Sequence, residues 1–220
     1  MRKAIILSAA ILFVGCGKKE ALYKGKPAEH WVQALQDSDA QVRREAAGAL
    51  ATLKVRDAVP QLAAALKDQD AGVRAKAAEA LWSIGADAKE AIPELTAALK
   101  DTSAGVRLNA AGALGAIGAE ARDAIPAVCA LLKDRDSNVR VSAAQALGQL
   151  GPPSGPAVPA LTEALKDRDK KVRVAAAYAL GGLGSEAREA VPALRAMAKQ
   201  KDGDIRSAVA YALQEIEGKE

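Results

Sequence analysis

The stretch KDQDAGVRAKAAEALWSIG at residues 67–85 decides how this chain is read, because it returns three more times with local edits. The copies are KDTSAGVRLNAAGALGAIG at 100–118, KDRDSNVRVSAAQALGQLG at 133–151 and KDRDKKVRVAAAYALGGLG at 166–184. Looser versions flank them, QDSDAQVRREAAGALATLK at 36–54 and KDGDIRSAVAYALQEIE at 201–217. Self-similarity at a fixed period marks a repeat architecture before any local structure is considered. The phase is carried by Val42-Arg43, Val73-Arg74, Val106-Arg107, Val139-Arg140, Val172-Arg173 and Ile205-Arg206, spaced by 31, 33, 33, 33 and 33 residues. Proline keeps the period at Pro27, Pro60, Pro93, Pro126, Pro159 and Pro192.

Each copy states its own secondary structure. Three residues before the Val or Ile stand Asp39, Asp70, Ser103, Asp136, Asp169 and Asp202, whose side-chain oxygens suit the N-cap of a helix. Apolar residues then follow a helical face, as in Val73, Ala77, Ala80, Leu81 and Ile84. Gly85, Gly118, Gly151 and Gly184 stand where a left-handed residue closes a helix. We term this element helix B. The stretch before it, such as AIPELTAALK at 91–100 or AVPALTEALK at 157–166, is a shorter helix A with proline in its first turn, where the missing N–H does no harm. Alanines such as Ala77, Ala78 and Ala80 let neighbouring helices approach closely.

One helix pair cannot bury both apolar faces, so stacked neighbours must supply the core. The fold expected is therefore an all-α solenoid of about six antiparallel helix pairs over residues 23–220. YKGKPAEHWVQALQD at 23–37 carries Trp31 and two extra residues, as an N-terminal capping repeat would. At the other end, Glu215-Ile216-Glu217 closes the last helix without the terminal glycine of the internal copies, which suits an end facing water.

The pattern Pro-x-Leu-x-x-Ala-Leu-x-Asp followed by Val-Arg-x-x-Ala-Ala-x-Ala-Leu resembles the bacterial HEAT-like repeats of the phycobilisome-lyase type, over about 23–217. That resemblance speaks for fold more than function, because such repeats host unrelated partners. It encompasses adaptors and scaffolds, bilin lyases and a di-iron hydroxylase. It also implies that helix B lines the concave side, and that the Val-Arg arginines link the turns of adjacent pairs through charge-assisted bonds to carboxylates or carbonyls. The six arginines could also make a basic stripe, but each copy carries aspartates nearby, such as Asp68 and Asp70 beside Arg74.

The hydroxylases of this group hold iron with repeated His-Glu pairs, and imidazole with carboxylate suits non-haem iron. Here the only histidine is His30, preceded by Glu29, and one imidazole cannot build that site. No metal and no cofactor are expected. Cys129, in PAVCALLKD, stands where other copies have Ala63, Thr96, Thr162 and Arg195, and reads as a small buried or half-buried thiol.

The repeat's changing positions can encode a partner. Six residues after the Val or Ile, helix B carries Gly48, Glu79, Gly112, Gln145, Tyr178 and Tyr211. Glu45, Lys76, Asn109, Ser142, Gln149 and Glu215 flank them on the face opposite the apolar stripe. A groove grading from charged to aromatic follows, with Glu79, Gln145, Tyr178 and Tyr211 as expected partner contacts. Paired tyrosines are the side chains most enriched at interface hot spots. Trp82 divides between packing and exposure.

Half of the 220 residues are apolar, 26% charged and 3% aromatic, a globular mix. The formal charge of +4 falls to +2 without Arg2 and Lys3, leaving 29 Lys+Arg against 27 Asp+Glu. That bias does not argue for nucleic acid.

At the N-terminus, MRKAIILSAAILFVGCGKKE opens with basic Arg2 and Lys3 and an apolar run from Ala4 to Val14, the pattern of a signal peptide. The run is about half the length of a membrane-spanning helix. FVGC at 13–16 resembles a bacterial lipobox, although Phe13 stands where Leu is usual. The resemblance implies cleavage before Cys16 and acylation of its thiol, so that residues 1–15 are a lipoprotein signal peptide and 16–22 a lipidated tether. Gly17 then carries no inner-membrane retention signal, favouring the outer membrane in a host with two membranes. With Cys16 acylated, Cys129 has no disulfide partner.

The expected function is a membrane-tethered, non-catalytic scaffold in the bacterial envelope, offering a concave helical surface to a protein or peptide. The alternative is a cofactor-binding or enzymatic protein, bilin lyase-like or resembling a metal-dependent oxidoreductase.

Overall fold

A computed structural model describes residues 21–152 and 155–218; the expected signal peptide at 1–15 and Cys16 lie outside the described residues. Six helix pairs follow one another. The A helices are α1 (Ala28–Ala34), α3 (Val59–Ala65), α5 (Ile92–Ala98), α7 (Ile125–Ala130), α9 (Ala157–Ala164) and α11 (Val191–Met197). The B helices are α2 (Ala40–Leu53), α4 (Ala71–Ile84), α6 (Ala104–Ile117), α8 (Ser137–Leu150), α10 (Lys170–Gly182) and α12 (Gly203–Glu217). Among the described residues no helix is long and apolar enough to cross a membrane.

The boundaries follow the local chemistry. All six N-cap residues precede their helices in extended conformation, and five accept a backbone N–H through the side chain. Ser103 keeps the backbone geometry without that bond. Proline falls in the first turn of α3, α5, α7 and α11, whereas Pro27 is itself the cap of α1. Gly85 closes α4 at φ +71°, and in the first repeat Lys54 also turns to positive φ, at 50° in the left-handed helical region. The last helix differs from expectation. It does end on glycine, Gly218 at φ +85°, one residue later than the repeat period would place it.

The core is a column between the two helix rows. Leu50, Leu81, Leu114, Leu147 and Leu180 from B, with Leu62, Leu95, Leu161 and Leu194 from A, are fully buried. Burying each stabilises the stack by roughly 1.5–3 kcal/mol. Trp31 closes the N-terminal end, 4% exposed, with the Tyr23 ring edge-on at 5.5 Å. Tyr23 is held there by a two-residue turn, Lys24 and Gly25 at positive φ, with paired backbone bonds to Lys26.

Consecutive B helices meet extensively, while consecutive A helices touch at few points. The small residues decide this. A Cβ added at Gly148 would meet the Cα of Ala179 at 2.9 Å, so α8 and α10 are as close as their backbones allow. Rows of unequal spacing bend the stack toward the tighter row, and B is the inner one. Clefts open along the outer row, as between α7 and α9, where Pro126, Cys129, Pro159 and Ala160 line one of about 930 Å³.

Candidate functional site

The exposed face of the B row changes character along the stack. At the N-terminal end it is ionic: Lys24 pairs with Glu45 at 2.8 Å, Arg44 with Asp70 at 2.9 Å and Lys76 with Glu79 at 2.8 Å. All of these but Asp70, with Gly48 and Thr52, line a polar cleft of about 500 Å³. Gly48 has open space above it, so nothing of the protein's own fills the cleft at that point.

Toward the C-terminus the face becomes aromatic. Tyr178 on α10 and Tyr211 on α12 lie with ring centroids 5.4 Å apart, tilted by 47°, and remain 45% and 40% exposed. Such a pair presents a wide apolar surface whose hydroxyls can still donate. Gln145 is exposed on α8 between the two ends. Glu79 is half-buried and engaged by Lys76. The four expected contacts thus share the B face, and only the tyrosines touch. Asn109 and Ser142 do not belong with them. The Asn109 amide donates to the carbonyl of Ala75 at 2.9 Å, and the Ser142 hydroxyl, 5% exposed, to that of Leu108 at 2.8 Å. They tie neighbouring B helices together because their position faces the preceding helix.

Trp82 was not among the expected contacts, yet it is 38% exposed on this face. Its indole covers Gly112 of the next repeat, where an added Cβ would come within 2.8 Å of the ring. Tyr211 covers Gly181 in the same manner, at 2.7 Å. In these two pairs the ninth residue after the Val of one repeat meets the sixth of the next, one a large side chain and the other a glycine. The alternation was present in the sequence as Trp82/Gly112 and Gly181/Tyr211, but only paired positions reveal it.

The Val-Arg arginines form a ladder along the rim. Arg43, Arg74, Arg107 and Arg140 grip Asp68, Asp101, Asp134 and Asp167 through Nε and Nη2 at 2.7–3.0 Å. Each carboxylate belongs to the next repeat. For Arg74, Asp68 supplies its carbonyl, at 2.7 Å, rather than its carboxylate, and Asp70 pairs with Arg44. The hydrogen bond from Arg43 is the main cause holding Asp68 below the usual carboxylate range, and Arg107 does the same for Asp134.

His30 packs edge-on to Trp31 at 5.0 Å between centroids. Among the described residues no three of His, Cys, Asp and Glu gather where they could hold a metal ion. Cys129 is half-buried, and burial pushes its thiol up to about 11.

The family model for HEAT repeats matches residues 28–104, 92–167 and 158–220. Among curated proteins, none matches the sequence. Of solved structures, an engineered protein superposes with a TM-score of 0.71 at 25% identity, over 86% of this chain and 98% of its own. A designed armadillo repeat protein in complex with the peptide (KR)4 gives 0.67 at 20% identity, over 85% and 98%. The complex of CpcE and CpcF of phycocyanin lyase from Nostoc sp. PCC7120 gives 0.66 at 24% identity, over 94% and 79%. At these identities the last two speak for the fold.

Proposed function

The chain belongs to the HEAT-repeat family, and on that premise we propose that it is a non-catalytic binding module whose inner B face takes up a protein or peptide partner. One observation carries this reading. The chain has only six Phe, Trp and Tyr residues, and three of them, Trp82, Tyr178 and Tyr211, stand exposed on that face. A solvated surface gains nothing from such side chains, whereas rigid amphipathic rings dominate binding interfaces. The designed armadillo protein similar in fold is bound to a peptide, which supports a groove of this curvature as a peptide receptor. Extended partners would cross from the ionic cleft around Glu79, past Gln145, to the Tyr178–Tyr211 pair.

The module is tethered, in this reading, by acylation of Cys16 in a bacterial envelope. Because the turn from Tyr23 to Lys26 is folded against Trp31, the tether is at most residues 16–22. At about 3.6 Å per residue it reaches at most ~25 Å, keeping the groove beside its membrane.

The test compares affinity capture from detergent-solubilised envelopes by the native protein and by the Tyr178→Ala/Tyr211→Ala variant. A partner held by the first and lost by the second is the expected result, and equal retention would move the site off this face. Cys16→Ser should release the protein from the membrane fraction. Retention of that variant would defeat the lipid tether while leaving the groove untouched.

A further inference from the structure

The rim ladder breaks at its fifth rung. Arg173 holds the pose of the four arginines before it, its Nη1 donating to the carbonyls of Asp167 at 2.8 Å and Arg168 at 3.2 Å. In Arg43, Arg74, Arg107 and Arg140 this same anchoring leaves Nε and Nη2 free to grip a carboxylate 25 or 27 residues further on. The repeat period puts Gln200 at that place after Arg173, and no acceptor among the described residues meets Nε or Nη2 of Arg173. Unlike Arg206, which lies on the last described helix, Arg173 sits inside the stack with a full repeat beyond it.

The space beside it is open. A cleft of about 430 Å³ between α9 and α11 is lined by Arg173 and Gln200, with Thr162, Lys166, Asp167 and Met197. Lys166 lies next to the opening, and among the described residues its exposed head pairs only with Glu163 at 2.9 Å, a residue of its own turn. Asp167 points its carboxylate at Arg140 and turns its backbone carbonyl to Arg173, so it does not neutralise the fork.

We propose that the Arg173 fork is a receptor for an aspartate or glutamate carboxylate of an acidic peptide, which takes the rung that Gln200 leaves empty. The chemistry is set by four precedents in the same molecule. A planar guanidinium, pinned through one nitrogen, offers two parallel N–H donors at the spacing of a carboxylate. The site lies on the rim and is independent of the inner face, so either can fail alone.

The probe is the peptide acetyl-Gly-Asp-Gly-Asp-amide, titrated into the full chain while the Nε–Hε resonance of Arg173 is followed, assigned through its loss in Arg173→Gln. A saturable shift is expected, absent with the Asn-for-Asp peptide. Gln200→Asp restores the missing rung from within, so its resonance should already sit with those of the four paired arginines and its affinity for the peptide should fall at least about tenfold. Undiminished binding by Gln200→Asp, or equal binding of the Asn peptide, would overturn the proposal. Inorganic phosphate matching the peptide at equal concentration would overturn the carboxylate assignment. Were Arg173→Gln to unfold, Gln200→Asp keeps every native charge on the arginine and decides the matter alone.

Discussion

The indole of Trp82 lies across the backbone of Gly112, one repeat further on, in a notch that a single methyl group would close. The obstructing atoms belong to a side chain at the surface, so the ring can swing away. Gly112→Ala should leave stability within about 1 kcal/mol of native, the helix propensity gained by alanine offsetting the lost contact. It should also shift tryptophan emission to the red, since Trp31 stays buried and only Trp82 moves. Unchanged emission would mean that the notch is wider than described.

Gly148 makes the opposite case. Its added Cβ would meet the Cα of Ala179, and backbone cannot step aside. Gly148→Ala should lower stability by about 1–3 kcal/mol in urea unfolding, despite the same gain in propensity. A neutral result would show that α8 and α10 can separate, and would undercut the tight inner row.

Leu147 is fully buried in the core column. Leu147→Ala should cost about 2–5 kcal/mol, the range for truncating a packed leucine. In a stack whose interfaces are local, the loss should also broaden the unfolding transition.

The ladder makes stability depend on pH in a defined direction. Asp68 and Asp134 ionise below the usual range in the folded chain, through Arg43 and Arg107 respectively. A depressed carboxylate binds protons more weakly than its unfolded counterpart, so its contribution is complete above about pH 4 and is lost as pH falls through the folded value. The urea midpoint should be flat from neutral pH to about 5 and drop below 4. Asp134→Asn should lower the plateau and flatten the drop.

At Cys129 the shift runs the other way, because burial disfavours the thiolate. In a Cys16→Ser background, where it is the lone thiol, labelling by a disulfide reagent should be slow at pH 7. The rate should rise with pH toward about 11, the value to which the thiol is pushed. Fast labelling at neutral pH would place the thiol on the surface.

Most of the architecture was legible in one dimension. The Asp or Ser caps, the first-turn prolines, the left-handed glycines and the 33-residue period state helices, turns and stacking locally, since each depends on residues within a few positions of one another. The buried faces followed as well, because helical periodicity alone sorts Leu81 from Glu79. What failed to show were relations between repeats. That Arg74 would link adjacent pairs was legible, but not that its carboxylate is Asp101, brought in by the next turn. Asn109 and Ser142 were read as groove-lining and instead bridge helices.

The sequence by itself thus determined the helices, their order and which faces are apolar. Tertiary structure alone decided which residue of one repeat meets which residue of the next: Trp82 with Gly112, Tyr178 with Tyr211, and Arg173 with no carboxylate among the described residues. The reason is physical. Caps and periodicity act through neighbouring peptide units, whereas these contacts depend on the few ångströms between stacked helices, a spacing set jointly by every small residue along the row.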